Sequence, residues 1–126
     1  MSILARMNPN KNQNSPNGLI GLERRFVRFN GGVGSEQLRW LKEELEKAGE
    51  ENEKVVVCSH QPIHPSSASS TCLLWNYSKV LEILQERPKG QVVACFSGHA
   101  HRGGYAMDNR GIHFKVFEAC VEVKKR

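Results

Sequence analysis

The sequence predicts an α/β domain, and three features carry that prediction. Val55-Val56-Val57-Cys58 and Val92-Val93-Ala94-Cys95-Phe96 are short apolar runs, each ending in a polar tip with a histidine, Ser59-His60 and Ser97-Gly98-His99. Such runs read as strands buried on both faces. A helical pattern precedes the first run and another separates the two, and alternating strands and helices favour a sheet whose strand ends carry the chemistry.

The elements follow in order. Residues 1–21 are rich in Asn, Pro, Gly and Ser, which supply turns rather than a periodic apolar face, so an irregular segment is expected there. Leu22 to Asn30 shows no decisive period, and Gly31-Gly32 and Gly34 then break the chain. Leu38, Leu41, Leu45 and Ala48 recur at three- and four-residue intervals, which predicts a helix over 36–48 with Ser35 as N-cap and Gly49 as its stop. Glu50 to Glu53 form a solvated connection to the strand at 55–58.

After a serine-rich loop, Tyr77, Val80, Leu81 and Leu84 outline a second helix at 77–86, closed by Pro88 and Gly90. The strand at 92–96 comes next, and Gly103 to Gly111 reads as a loop or hairpin connection. Ile112 to Phe117 and Val121-Glu122-Val123 are expected as closing strands within 112–123.

Composition narrows the function classes. A chain of 126 residues, 39% hydrophobic and 25% charged, suits one ordinary globular domain. No apolar run approaches the roughly 20 residues of a membrane span. Met1 to Asn14 lacks an apolar core like that of a signal peptide, so a cytoplasmic rather than secreted protein is expected. The four cysteines, Cys58, Cys72, Cys95 and Cys120, are too widely spaced for a zinc clip, and are read as reduced thiols, with Cys58 and Cys95 packed as small hydrophobes. The net charge of +5 is diffuse, with only Lys124-Lys125-Arg126 clustered, and it suits a phosphorylated small molecule better than a nucleic acid.

The five histidines are the informative residues. His60 follows one strand, and His99 and His101 follow the next, so three imidazoles should meet at one sheet edge. Neutral imidazole suits first-row divalent metals, and the i,i+2 spacing of His99 and His101 lets two rings flank a turn. Gly98 allows close backbone approach.

Val-Val-Val-Cys-Ser-His60-Gln-Pro-Ile-His64 and Val-Val-Ala-Cys-Phe-Ser-Gly-His99-Ala-His101 together resemble the last two metal motifs of the calcineurin-like metallophosphoesterases. The segment Asn8 to Pro16, the Gly31-Gly32 pair, the Gln37-Leu38-x-Trp40-Leu41 helix, Cys72 to Tyr77 and Gly103-Gly104-Tyr105 narrow the resemblance to the manganese-dependent ADP-ribose/CDP-alcohol diphosphatases, from about Asn8 to Glu122. The resemblance implies the carboxyl-terminal half of a four-layer αββα sandwich. It also implies a site for two divalent ions, Mn2+ or Zn2+, and a nucleotide diphosphate substrate such as ADP-ribose or CDP-choline. By the same resemblance His60 and His99 would hold one ion and His101 the other.

The chain departs from that family in lacking its Asp-x-His, Gly-Asp-x-x-Asp and Gly-Asn-His motifs, and its sole aspartate is Asp108. A dinuclear site with a bridging carboxylate cannot then be built from this chain in the family's manner, and the isolated chain is expected to be inactive. The alternative is a truncated isoform that binds metal or nucleotide without catalysis. His64 is read as a loop residue near the substrate mouth, and His113 as structural. Cys72, Asn76 and Tyr77 are candidates for lining a base or alcohol pocket, against the plainer reading of core and helix-start residues. Half of a two-sheet sandwich would also leave one sheet face open to self-association.

Overall fold

A computed structural model describes residues 8–12 and 14–122. Two helices, α1 (Ser35–Glu50) and α2 (Tyr77–Gln85), accompany four strands, β1 (Val55–Cys58), β2 (Val92–Ser97), β3 (Gly104–Met107) and β4 (His113–Val116). The sheet order is β1-β2-β4-β3, with β1, β2 and β4 parallel and β3 antiparallel to β4.

Register decides which side chains meet the helices. Val57, Cys95, Phe114 and Ala106 pair across the sheet and therefore share one face. Cys95 and Phe114 on that face join Leu45 of α1 and Val80 and Leu84 of α2 in one buried cluster. The helices thus cover this side.

The other side is open. Val56 is 47% exposed, Phe96 37%, Tyr105 55% and Met107 57%. The expectation that β1 is buried on both faces, with Cys58 packed inside, is overturned, since Cys58 is exposed and only Cys95 is buried. Both helices pack on a single face, and β1 is also the outermost strand, so alternate β1 side chains meet no second layer.

The ends of α1 differ from expectation for local reasons. Gly34, not Ser35, is the cap residue, its carbonyl accepting the Leu38 N–H at 2.9 Å, while Ser35 already lies in the first turn. Asn52, not Gly49, supplies the left-handed stop, with φ of 56°. Asn52 N–H donates to Gly49 O at 3.2 Å and Glu53 N–H to Ala48 O at 2.8 Å, the pair of bonds that closes a Schellman motif. Gly49 has a packing role instead, because a Cβ there would lie 3.2 Å from the Gln91 side chain, which donates to Leu45 O.

Helix α2 ends at Gln85, with Glu86 as its cap, and β2 extends to Ser97. The connection after Gly103 is a strand, β3, held in a hairpin by Asp108, whose Oδ1 accepts the Arg110 and Ile112 N–H groups at 2.9 Å each. Gly104 must lack a side chain because a Cβ would fall 1.9 Å from the Ser67 carbonyl oxygen. Beyond β4, Phe117 and Ala119 bond to Ser97 O and His101 O, and Val121 and Glu122 form a turn rather than the expected strand. Val123 and the basic cluster Lys124 to Arg126 lie outside the described residues, as do Met1 to Met7. Among the described residues of the irregular segment, buried Asn10 ties the loop together by donating to the carbonyls of Asn12, Ser15 and Phe26. No helix among the described residues is long and apolar enough to cross a membrane.

Candidate metal centre

The pairing of β1 with β2 brings the two polar tips side by side. Past Cys58, Ser59 N–H still donates to Phe96 O at 2.9 Å, and its hydroxyl donates to Gln61 O at 2.8 Å, shaping the bend that carries His60. Past β2, Gly98 N–H donates to His60 O at 3.0 Å, so the two tips are locked by backbone. His99 then adopts a left-handed conformation, φ 62°, which costs a non-glycine residue of order 1–3 kcal/mol and is characteristic of functional sites.

The outcome is a close imidazole pair. His60 Nε2 and His99 Nδ1 stand 3.2 Å apart, with the rings edge to face at 69°. Two nitrogens bound to one ion at about 2.0–2.1 Å each are roughly 2.8–3.4 Å apart, depending on the coordination angle, so the pair fits two adjacent positions on one divalent ion. His99 is half-buried. Burial first, then the neighbouring imidazoles of His60 and His101, pushes its pKa below the ordinary histidine value. That favours the neutral ring, the form a metal binds.

His101 does not join them. It is exposed, and its Nδ1 meets Glu122 Oε1 at 2.8 Å. Its turn, closed by the Gly103 N–H to Ala100 O bond, points the ring toward the chain's last described turn. Among the described residues no group of three or more His, Cys, Asp or Glu side chains is arranged to hold an ion. At this sheet edge His60 and His99 are paired, while the ring of His101, two residues on, is turned to Glu122.

The remaining candidates have structural partners. His64 stacks on Phe114 at 4.8 Å between ring centres, and its Nδ1 accepts the Ser66 N–H at 3.2 Å. Burial lowers its pKa, opposed by Asp108. Cys72 is half-buried beside Thr71, and Tyr77 lies under the Arg25 guanidinium at 5.3 Å. His113 is exposed and bonds to the Tyr105 hydroxyl at 2.8 Å on the open face.

Asn76 grips Val33, accepting its N–H at 2.9 Å and donating to its carbonyl at 2.8 Å. That clamp holds one wall of a cavity of about 490 Å3, lined by Gly31, Gly32, Trp40, Cys58 and His60 among others. Asn76→Ala is expected to lower stability by about 1–3 kcal/mol, because two backbone groups lose their partner at once. A urea midpoint that falls at unchanged slope would register this, and an unmoved midpoint would mean that water replaces the clamp.

One residue that the sequence did not single out belongs to the site. Asn30, buried, faces His99 Nε2 with its Oδ1 at 2.8 Å. It lies 69 positions from His99 along the chain, and its only sequence signal is its place before Gly31-Gly32.

No protein-family model matches the chain. Among curated proteins it is 48% identical over 122 residues to a manganese-dependent ADP-ribose/CDP-alcohol diphosphatase of Oryza sativa, covering 97% of this chain and 37% of that protein. The human protein of the same name is 43% identical over 122 residues, with 97% and 34% covered. Among solved structures, a dimetal phosphatase from Danio rerio superposes with a TM-score of 0.86 at 36% identity, over 95% of this chain and 38% of that one. The chain thus spans a little over a third of these relatives. Sequence and fold agree along nearly all of its length: the chain is homologous to about a third of the manganese-dependent ADP-ribose/CDP-alcohol diphosphatases and shares the fold of the corresponding part of a dimetal phosphatase.

Proposed function

We propose that this chain supplies the imidazole side of a two-ion hydrolytic site acting on nucleoside diphosphate-linked compounds, ADP-ribose and CDP-alcohols such as CDP-choline. The observation that carries the reading is the His60–His99 pair at 3.2 Å on backbone-locked strand tips. His60 and His99 hold one divalent ion, manganese or zinc, and His101, once released from Glu122, serves the second. Such ions lower the pKa of bound water and neutralise charge on the phosphoryl group. The residues of this chain orient that chemistry, and the cavity beside His60 offers Trp40 and the Gly31-Gly32 backbone to a substrate.

The chain alone does not complete the site. A two-metal clamp needs bridging carboxylate character, and the sole aspartate, Asp108, is committed to its hairpin turn and to Gln85 Nε2 at 2.9 Å. Complementary residues must come from outside the described residues, and the open sheet face with Val56, Phe96, Tyr105 and Met107 is the surface on which the chain associates with another apolar layer or with itself.

A non-catalytic reading is favoured by one observation, the absence of any three-ligand cluster among the described residues. The deciding experiment measures ADP-ribose hydrolysis in millimolar manganese, and manganese binding by calorimetry, for the chain and for His60→Ala and His101→Ala. Weak binding lost in His60→Ala, without turnover, is the expected result. Turnover that either substitution abolishes would overturn the view that the chain is incomplete, and binding indifferent to His60 would overturn the site.

A further inference from the structure

The buried amide of Asn30 leaves His99 little choice. Its Nδ2 donates to two carbonyl oxygens, Arg25 O and Thr71 O, each at 2.8 Å. Carbonyls only accept, so turning the amide over would set Oδ1 against two oxygens and leave two acceptors without a donor in a residue that is 4% exposed. The orientation of the amide is thereby determined by its neighbours. What remains is Oδ1, an acceptor, 2.8 Å from His99 Nε2. A bond at that distance requires the hydrogen to sit on Nε2.

A neutral imidazole carries one N–H, so the lone pair of His99 is then on Nδ1, the atom that faces His60 Nε2 at 3.2 Å. We propose that Asn30 is a positioning residue that selects the Nε2–H tautomer of His99, so that His99 presents Nδ1, and never Nε2, to a divalent cation. The left-handed backbone of His99 and the Asn30 bond act together: the first aims the ring, and the second decides which nitrogen is free. Asn30 touches no ion itself. Partners of this kind orient a ligating ring and raise its basicity.

The tautomer can be read without any metal, so this part of the inference survives if the hydrolytic reading fails, and the affinity part rests on that reading. Long-range nitrogen–proton NMR of the 126-residue chain, labelled with nitrogen-15, is expected to show His99 as a single tautomer, protonated at Nε2, with a slowly exchanging ring proton. A Nδ1–H ring, or rapid averaging over both tautomers, would overturn the proposal. In Asn30→Ala the ring should average over both tautomers, and affinity for Zn2+ alone, a diamagnetic probe titrated by calorimetry, should fall roughly 10- to 100-fold. Retention of the single tautomer and of full zinc affinity in a folded Asn30→Ala variant would also overturn it. Should that variant fail to fold, the spectrum of the unmodified chain decides alone.

Discussion

Phe114→Ala is expected to remove about 3–5 kcal/mol of stability, the usual cost of emptying a buried aromatic site. Phe114 is 2% exposed, sits on central strand β4 and joins Leu45, Val80, Leu84 and Cys95, so both helices and the sheet lose a shared contact. The ring also backs His64, whose loop would lose its support. Small domains are held by a margin of roughly 5–15 kcal/mol, and one with a single covered sheet face has no second core to absorb the loss. The measurement is urea unfolding followed by circular dichroism, beside Met107→Ala on the neighbouring strand, whose side chain is 57% exposed on the open face. Met107→Ala should change stability by no more than about 0.5 kcal/mol. Equal losses in the two variants would mean that the open face is covered in solution.

Alkali should weaken the fold through Cys95. Burial, followed by the nearby charges of Asp108 and Cys58, raises its thiol from an ordinary 9.0 to about 12. The thiolate is disfavoured in the folded chain, so above pH 9 the unfolded chain releases a proton that the folded chain keeps. The contribution is fully present below pH 9 and is lost progressively as pH rises toward 12. Over that interval, at about 1.4 kcal/mol per tenfold, the loss approaches about 4 kcal/mol. Lysine and tyrosine titrate in the same range, so the informative quantity is the difference from Cys95→Val, measured under reducing conditions. The unmodified chain should lose stability more steeply than Cys95→Val between pH 9 and 12, and parallel curves would mean that the thiol reaches solvent.

The helices and the strands that end in His60 and His99 were legible because each is written in local pattern. Leu38, Leu41, Leu45 and Ala48 mark α1 at any tertiary arrangement, and the β-branched runs before His60 and His99 leave few alternatives to strands. Strand β3 was not legible. Gly104-Tyr105-Ala106-Met107 is too short to show alternation, and it becomes a strand because Asp108 folds the hairpin and β4 offers an edge. The stop of α1 was misplaced for a similar reason: glycine is the stronger signal, but Gln91 from a distant turn makes use of Gly49, leaving Asn52 to take the left-handed position.

The same division holds at the site. The sequence by itself determined the chemical inventory, imidazoles at strand ends and no aspartate beyond Asp108, from which the divalent-metal reading is proposed. Only the tertiary structure decided that His60 and His99 meet while His101 turns to Glu122, that Asn30 faces His99, and that β1 is bare on one side. Local composition controls backbone preference over a few residues, whereas hydrogen-bond partners 39 or 69 positions apart are chosen by sheet register and by the need to satisfy buried polar groups.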